Sequence, residues 1–386
     1  MTDDVYQLTA APLSKRLARG WHCLGPAARY ADGQPHKVEA FNTQLVVFRT
    51  ESGALAALND FCPHMGAALS EGRVRGDSVA CPFHDWRWGQ DGRCTGIPYA
   101  KRIPPRARTR SWPLKVVDRV LYVWHDPERK PPPVEITLPG IEGFETDYAD
   151  WSYSLHRIAT NPRELVDNLV DVAHFFYVHG QGVNRLCAFF GNRFEGHVAW
   201  QILESEPHEG NYDKMQIGVA AEQVVGRRTE TAYFGPAYLK SRLLIPFEDE
   251  MTENYIILAQ QPINETEFDL HMLITTRKRP DLTDEQNNLR AAQMAEMLRM
   301  GTLQDVHIWK TKTRIDNPLL CDGDGPIYQL RRWYEQFFVN IADVTPQMTQ
   351  REEIITDTRY AYEVWGRQSE ERIAELEAAG ISVPIY

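Results

Sequence analysis

The sequence predicts an α+β protein in two unequal parts, a small all-β N-terminal domain and a larger domain that mixes strands and helices. Three observations carry this. Before residue 127, short alternating runs such as Gln44–Arg49 and Val117–Trp124 lie between Gly, Asp and Pro turns, the pattern of short strands with one buried face. From Pro127 to Pro133, with Pro131, Pro132 and Pro133 in a row, the backbone loses three donors and favours extended geometry, which marks a stiff linker. Beyond it, strand-like runs over 186–278 give way to helical periodicity,.

The elements of the larger part follow in order. Asn161-Pro162-Arg163-Glu164 reads as a helix start, with Asn161 as cap, Pro162 at the first helical position and Glu164 three residues past the cap,. The helix is expected to reach about His179, where Gly180 can end it,. Tyr238–Ile245 and Asn254–Ala259 read as strands,. A long helix is expected from about Asp284 to Arg314, with Thr283 and Gln286 forming a capping box,. Two more helices are expected near 326–340 and 359–379.

Composition excludes several classes. The 386 residues suffice for two or three cores,. With 42 basic and 53 acidic residues the net charge is −11, and no basic stripe exists outside Arg102–Arg110, a run read as a solvated loop. A nucleic-acid partner is therefore not expected. No stretch approaches the roughly 18–20 apolar residues that span a bilayer. Met1–Leu8 carries Asp3 and Asp4 and has no apolar core of a signal peptide,. Cys23, Cys62, Cys81, Cys94, Cys187 and Cys321 are too sparse for a disulfide framework. A reducing cytoplasm is expected, with some thiols free to bind metal.

Two constellations carry chemistry. Cys62-Pro63-His64 and Cys81-Pro82-Phe83-His84 are paired C-x-H and C-x-x-H loops among β-like runs. Two thiolates and two imidazoles suit a structural zinc ion or a two-iron cluster of the Rieske type. The matching Cys-then-His order, and Trp86 and Trp88 close by as a hydrophobic sheath, favour the cluster. Cys94 stands outside both pairs and reads as a buried thiol. Ala67 and Phe83 occupy the positions at which respiratory Rieske loops carry an additional, disulfide-forming cysteine.

The second constellation is Asp167–His179. Asp171 and His174 share a helical face,. His174 and His179 are five apart, about 140° around an ideal α-helix, too wide for one metal unless the helix loosens there. Two neutral imidazoles and one carboxylate form a facial Fe(II) site with positions open for O2. The carboxylate must come from afar. Asp305, set among apolar neighbours, is a candidate, and Glu296 and Asp316 are rivals,.

Together these motifs resemble the α subunits of Rieske non-haem iron oxygenases over nearly the whole chain. Cys81–Trp88, Ile97–Ala100, Ala173–His179, Tyr233–Pro236, Thr313–Cys321 and Tyr328–Phe338 are similar to the oxygenase components of 3-ketosteroid 9α-hydroxylases. The resemblance implies that Cys62 and Cys81 hold one iron of a [2Fe-2S] cluster, that His64 and His84 hold the other, and that His174, His179 and Asp305 hold a mononuclear iron. It implies that Asp171 bridges His174 to a Rieske histidine of the next subunit in a head-to-tail homotrimer. The larger domain becomes a helix-grip fold, a curved antiparallel sheet around an apolar cavity. The expected limits are 1–18 for an N-terminal segment, 19–127 for the Rieske domain and 128–386 for the catalytic domain.

The implied activity is O2-dependent 9α-hydroxylation of a 3-ketosteroid, with electrons from NADH through a separate flavin and iron–sulfur reductase. Tyr233, Phe234, Leu239, Thr302, Leu303 and Trp309 are the candidate substrate contacts, and Asn168 is expected to orient a metal-bound water. The chain departs from the steroid-hydroxylase pattern at Gly180–Leu186 and at Thr302. Alternatives are a sterol desaturase, an aromatic-ring dioxygenase, or an electron carrier that uses the Rieske domain alone.

Overall fold

The computed structural model describes residues 5–13, 15–179, 186–206, 227–247 and 250–381. The N-terminal part is built from three small antiparallel sheets. Strands β1 (Gly20–Pro26), β9 (Leu114–Val117) and β10 (Val120–His125) make one, in the order β1-β10-β9. Strands β2 (His36–Ala40), β3 (Thr43–Arg49) and β4 (Leu55–Asn59) make the second. The third holds β5 (Arg73–Arg75), β6 (Ser78–Ala80), β7 (Arg87–Gly89) and β8 (Cys94–Gly96).

The larger part centres on an eight-stranded antiparallel sheet in the order β11-β17-β16-β15-β14-β13-β12-β18. Its strands are β11 (Ser152–Ile158), β12 (Leu186–Glu195), β13 (Val198–Glu206), β14 (Arg227–Phe234), β15 (Tyr238–Phe247), β16 (Glu250–Asn264), β17 (Glu267–Thr276) and β18 (Glu352–Ile355). Alternation along the strands separates two faces. One carries a cross-strand ladder of ion pairs: Arg242 to Glu230 at 3.5 Å, Arg242 to Glu253 at 2.6 Å, and Arg277 to Glu253 at 2.9 Å. Such pairs fix register, because a one-residue slip would turn them into the core. The helix α3 (Asp284–Thr311) crosses the other face. Thr283 caps α3 in a reciprocal box with Gln286. Met294, Ala295 and Leu298 pack on Ile256, Met272 and Ile274.

Strand β17 is buried at nine of its ten positions. Met272 and Ile274 face α3, whereas Leu273 packs with Trp21, Tyr122 and Trp124 of the N-terminal sheet. A strand covered on both faces loses its alternation in sequence. Ile136 and Leu138, just past the proline run, join the same cluster. The linker thus runs along an apolar interface and does not hold two bodies apart. A Cβ on Gly20 would sit 2.3 Å from Pro236, so this approach requires glycine. The N-terminal segment is stitched to the far part as well: Thr9 N–H donates to Asn317 Oδ1 at 2.7 Å, and Arg19 N–H to the Phe337 carbonyl at 2.8 Å.

The remaining helices are short, α1 (Phe144–Asp147), α2 (Arg163–Val166), α4 (Ile327–Glu335) and α5 (Pro346–Thr349), except α6 (Arg359–Ala378). Among the described residues no helix is long and apolar enough to cross a membrane. The single helix expected from Pro162 to His179 is instead broken. Asn161 Oδ1 accepts Arg163 N–H at 3.0 Å and starts α2. A 3-10 turn follows at Asp167–Leu169, and Phe175–His179 winds as a π-helix. Arg331 holds the Asp167 carboxylate with two hydrogen bonds, at 3.2 and 2.6 Å, and the winding is lost at Val170 (φ −121°, ψ 3°). Asp171 then restarts the winding by accepting the His174 N–H at 3.2 Å. The expected stop at Gly180 lies outside the described residues.

Candidate metal centres and the cavity beside them

The two N-terminal loops are built alike. In each, the cysteine N–H bonds the carbonyl five residues on, Ala67 at 2.9 Å and Trp86 at 2.9 Å. In each, the N–H four residues on returns to the cysteine carbonyl, from Gly66 at 2.9 Å and Asp85 at 3.0 Å. Both turns need a left-handed residue there, and Gly66 (φ 81°) and Asp85 (φ 55°) supply it,. Asp85 is held by Arg73 at 2.8 Å and Arg87 at 3.0 Å. The first loop is braced by Asp60, which accepts the Ser70 N–H at 2.7 Å and its hydroxyl at 2.9 Å.

These loops bring Cys62, His64, Cys81 and His84 together. Both thiols are buried, and the imidazole centroids lie 4.8 Å apart. Burial, with Cys81 beside it, pushes the Cys62 thiol up. His84 Nδ1 is buried with no hydrogen-bond partner, an orphan that a metal would satisfy. Two buried thiols and two converging imidazoles, one of them unpartnered, fit a Cys2His2 cluster. Trp86 stacks on His64 at 4.5 Å, and its indole N–H donates to the Tyr99 hydroxyl at 2.7 Å. Cys94 shares an apolar cluster with Trp88, Cys62 and Cys81, and its thiol donates to the Gly96 carbonyl at 3.6 Å. All six cysteines are free thiols.

The second centre forms where the π-helix meets α3. With i→i+5 bonding, residues five apart fall on nearly one face, so His174 and His179 converge with ring centroids 5.1 Å apart. The ligand atoms of His174, His179 and Asp305 all lie within 4.8 Å of one another, and His179 Nε2 is 3.2 Å from Asp305 Oδ2. The rival carboxylates are engaged elsewhere: Glu296 with Arg299 at 2.6 Å, and Asp316 with Arg314 at 2.8 Å. His174 Nδ1 donates to the Asp171 carbonyl, and His179 Nδ1 donates to Gln304 Oε1 at 3.3 Å. Carbonyl and amide oxygens only accept, so both rings carry the proton on Nδ1 and leave Nε2 for a metal. Burial pulls the His174 pKa down, which keeps it neutral,. Gln304, which orients one ring, escaped the sequence reading although it adjoins Asp305.

A cavity of about 160 Å³ opens beside this centre, between α3, the 165–179 segment and the inner face of the sheet. Asn168, Tyr233, Leu239, Thr302 and Trp309 line it. Asn168 Oδ1 accepts the Trp309 indole N–H at 3.3 Å. Thr302 donates its hydroxyl to the Leu298 carbonyl at 3.2 Å. Two expected contacts fall elsewhere. Phe234 follows Tyr233 on β14, so it takes the opposite face and packs near Tyr238,. Leu303 follows Thr302 on α3 and turns toward the Leu298 cluster. Of the loop Gly180–Leu186, residues 180–185 lie outside the described residues. The sequence reading missed the inner-facing polar residues Gln201, Thr231 and Ser241, which also line the cavity.

Comparison with known proteins agrees with this arrangement. A Rieske [2Fe-2S] domain model matches residues 20–113, and a 3-ketosteroid 9α-hydroxylase C-terminal domain model matches residues 123–338. The oxygenase component of a 3-ketosteroid-9-alpha-monooxygenase from Rhodococcus rhodochrous is 46% identical, over 96% of this chain and 95% of its own. A Mycobacterium tuberculosis counterpart is 43% identical, over 97% and 96%. Among solved structures, NdmB of Pseudomonas putida CBB5 superposes with a TM-score of 0.66 at 16% identity, covering 87% of this chain and 96% of its own. Dicamba monooxygenase does so at 0.64 and 17%, covering 86% and 100%. These distant structures share the fold.

Proposed function

Because this chain belongs to the 3-ketosteroid 9α-hydroxylase family of Rieske oxygenases, we propose that it is the oxygenase component of a 3-ketosteroid 9α-monooxygenase. The net reaction places one atom of O2 on C9 and releases the other as water, at the expense of two electrons and two protons. When bound, the cluster supplies single-electron transfer and the mononuclear iron supplies O2 activation.

The chain's own tasks are to hold, orient and exclude. Cys62, Cys81, His64 and His84 hold the cluster within the 19–127 domain. His174, His179 and Asp305 hold the iron within the 128–386 domain. The Asp171 carboxylate is 43% exposed while its carbonyl accepts from His174. This supports a bridging role toward a neighbouring subunit's Rieske histidine in a homotrimer. Asn168, steadied by Trp309, positions a water beside the iron ligands. Leu165, Leu239, Leu243, Ile256 and Leu258 keep bulk water out and fit a flat apolar substrate,. Electrons come from NADH through a separate flavin and iron–sulfur reductase, in the cytoplasm.

The observation that carries this reading is the convergence of His174, His179 and Asp305 at the wall of an apolar cavity. The test is oxygen uptake by the iron-loaded protein with reductase, NADH and androstenedione. Steroid-dependent uptake matched by hydroxylated product is expected. Protein with full iron and no uptake on any 3-ketosteroid would contradict the reading.

A further inference from the structure

The cavity floor is a set of cross-strand rows, and one of them is polar. Strand pairing aligns Gln201 with Thr231, Thr231 with Ser241, and Ser241 with Ile256. The next row on one side is Tyr233, Leu239 and Leu258; on the other it is Leu203, Thr229 and Leu243. Rows of one face lie about 7 Å apart along the strands. Leu165, Leu169, Ile245, Met297 and Leu298 add apolar lining, and Ser205 and Thr302 add two more hydroxyls.

The members of the polar row differ in how they are satisfied. The Thr231 and Ser241 hydroxyls bond each other at 2.7 Å. Gln201 does not share in this. Its side chain is 2% exposed, it lines the cavity, and its Nε2 is buried with no partner. Neighbouring Asn192, paired with Gln201 across β12 and β13, spends its amide N–H groups on the Leu169 and Trp200 carbonyls, while its Oδ1 is likewise buried without a partner. A buried amide without an acceptor destabilises the fold, and an apolar residue of the same shape would remove that cost. Groups kept against stability are found where a ligand completes them.

We propose that Gln201 is a specificity-determining residue whose amide N–H donates to a carbonyl oxygen of the substrate. The inference rests on the steroid reading for its ligand: the oxygen is the C3 ketone that the substrate class shares. An apolar cavity alone discriminates weakly between a ketone and its deoxy analogue, whereas a buried donor left unpaired by the analogue discriminates strongly. Gln201 also fixes the position of the steroid along the sheet, and so which carbon faces the iron ligands.

The test compares binding of a 3-ketosteroid and its 3-deoxy analogue to the full iron-loaded chain, by equilibrium dialysis. Wild type, Gln201→Leu and Gln201→Met are measured. Wild type is expected to prefer the ketone by roughly 10- to 100-fold. Either variant should reduce that preference to within about threefold, with binding of the deoxy analogue retained and the melting temperature equal or higher. Variants that weaken both ligands equally, or that keep the full preference for ketone, overturn the role of Gln201 and leave the steroid reading intact. Wild-type protein that binds neither ligand overturns the steroid reading and the proposed contact together.

Discussion

Gly325 gives the sharpest test of how the proposed iron ligands are held. It approaches the chain behind the second centre so closely that an added Cβ would lie 1.8 Å from the Val170 carbonyl oxygen and 2.9 Å from its carbon. Real Cβ contacts essentially never fall below 3.0 Å, so Gly325→Ala must drive the two segments apart by more than an ångström. Val170 immediately precedes Asp171, which caps the turn that carries His174. Overpacking of this kind costs about 1–3 kcal/mol. Misplacing a reacting geometry by about 1 Å can cost 10²-fold in rate. The variant should therefore unfold several degrees lower and hydroxylate about a hundredfold more slowly. Its Rieske absorption should be unchanged, because the cluster loops lie in the other domain. Differential scanning calorimetry, iron analysis and product formation measure these. Wild-type melting together with wild-type turnover would refute the claim that this contact sets the ligand geometry.

Other expectations follow from the same geometry. Gly301 lies inside α3 and lines the cavity, and an added Cβ would meet nothing within 4 Å; Gly301→Ala should stabilise the fold by up to about 1 kcal/mol while weakening steroid binding, and unchanged binding would count against a steroid passing along this face. Asp171→Asn keeps the cap on His174 but removes the charge, so both metals should load while NADH-coupled hydroxylation is lost; near-normal turnover would make Asp171 merely structural. Burial depresses His22 to about 3, His125 to about 4 and His271 to about 3, from an ordinary value of 6.5. Each is neutral in the fold and gains a proton on unfolding below pH 6.5, so stability is full above that value and lost as pH falls toward 4. The melting temperature should therefore drop between pH 7 and pH 5, and a flat profile would show that these imidazoles are not held neutral.

The sequence revealed some of this and hid the rest for definable reasons. The Cys-x-His loops were legible because ligand, turn and sheath lie within a few consecutive residues. Asp305 was legible as one of three candidate carboxylates, and only family resemblance singled it out, since its approach to His179 depends on how α3 crosses the sheet. The 140° mismatch between His174 and His179 pointed to loosened winding, but only the structure shows π geometry, because i→i+5 bonding has no hydrophobic signature of its own. Phe234 was misplaced by one residue of strand parity. Gln201, Thr231 and Ser241 were missed because polar residues alternating along a strand read as a solvent face. Here α3 and the 165–179 segment cover that face and make it a cavity.

The central claim is that His174, His179 and Asp305 aim O2 chemistry at one carbon of a 3-ketosteroid. The measurement that tests it most directly is a turnover in ¹⁸O2 with reductase and NADH, followed by mass and NMR analysis of the steroid. The account predicts one ¹⁸O per product, at C9 on the α face, and none when Asp305→Ala replaces the wild type. Label at another carbon, two labelled oxygens in the steroid, or label persisting in the Asp305→Ala product would contradict it.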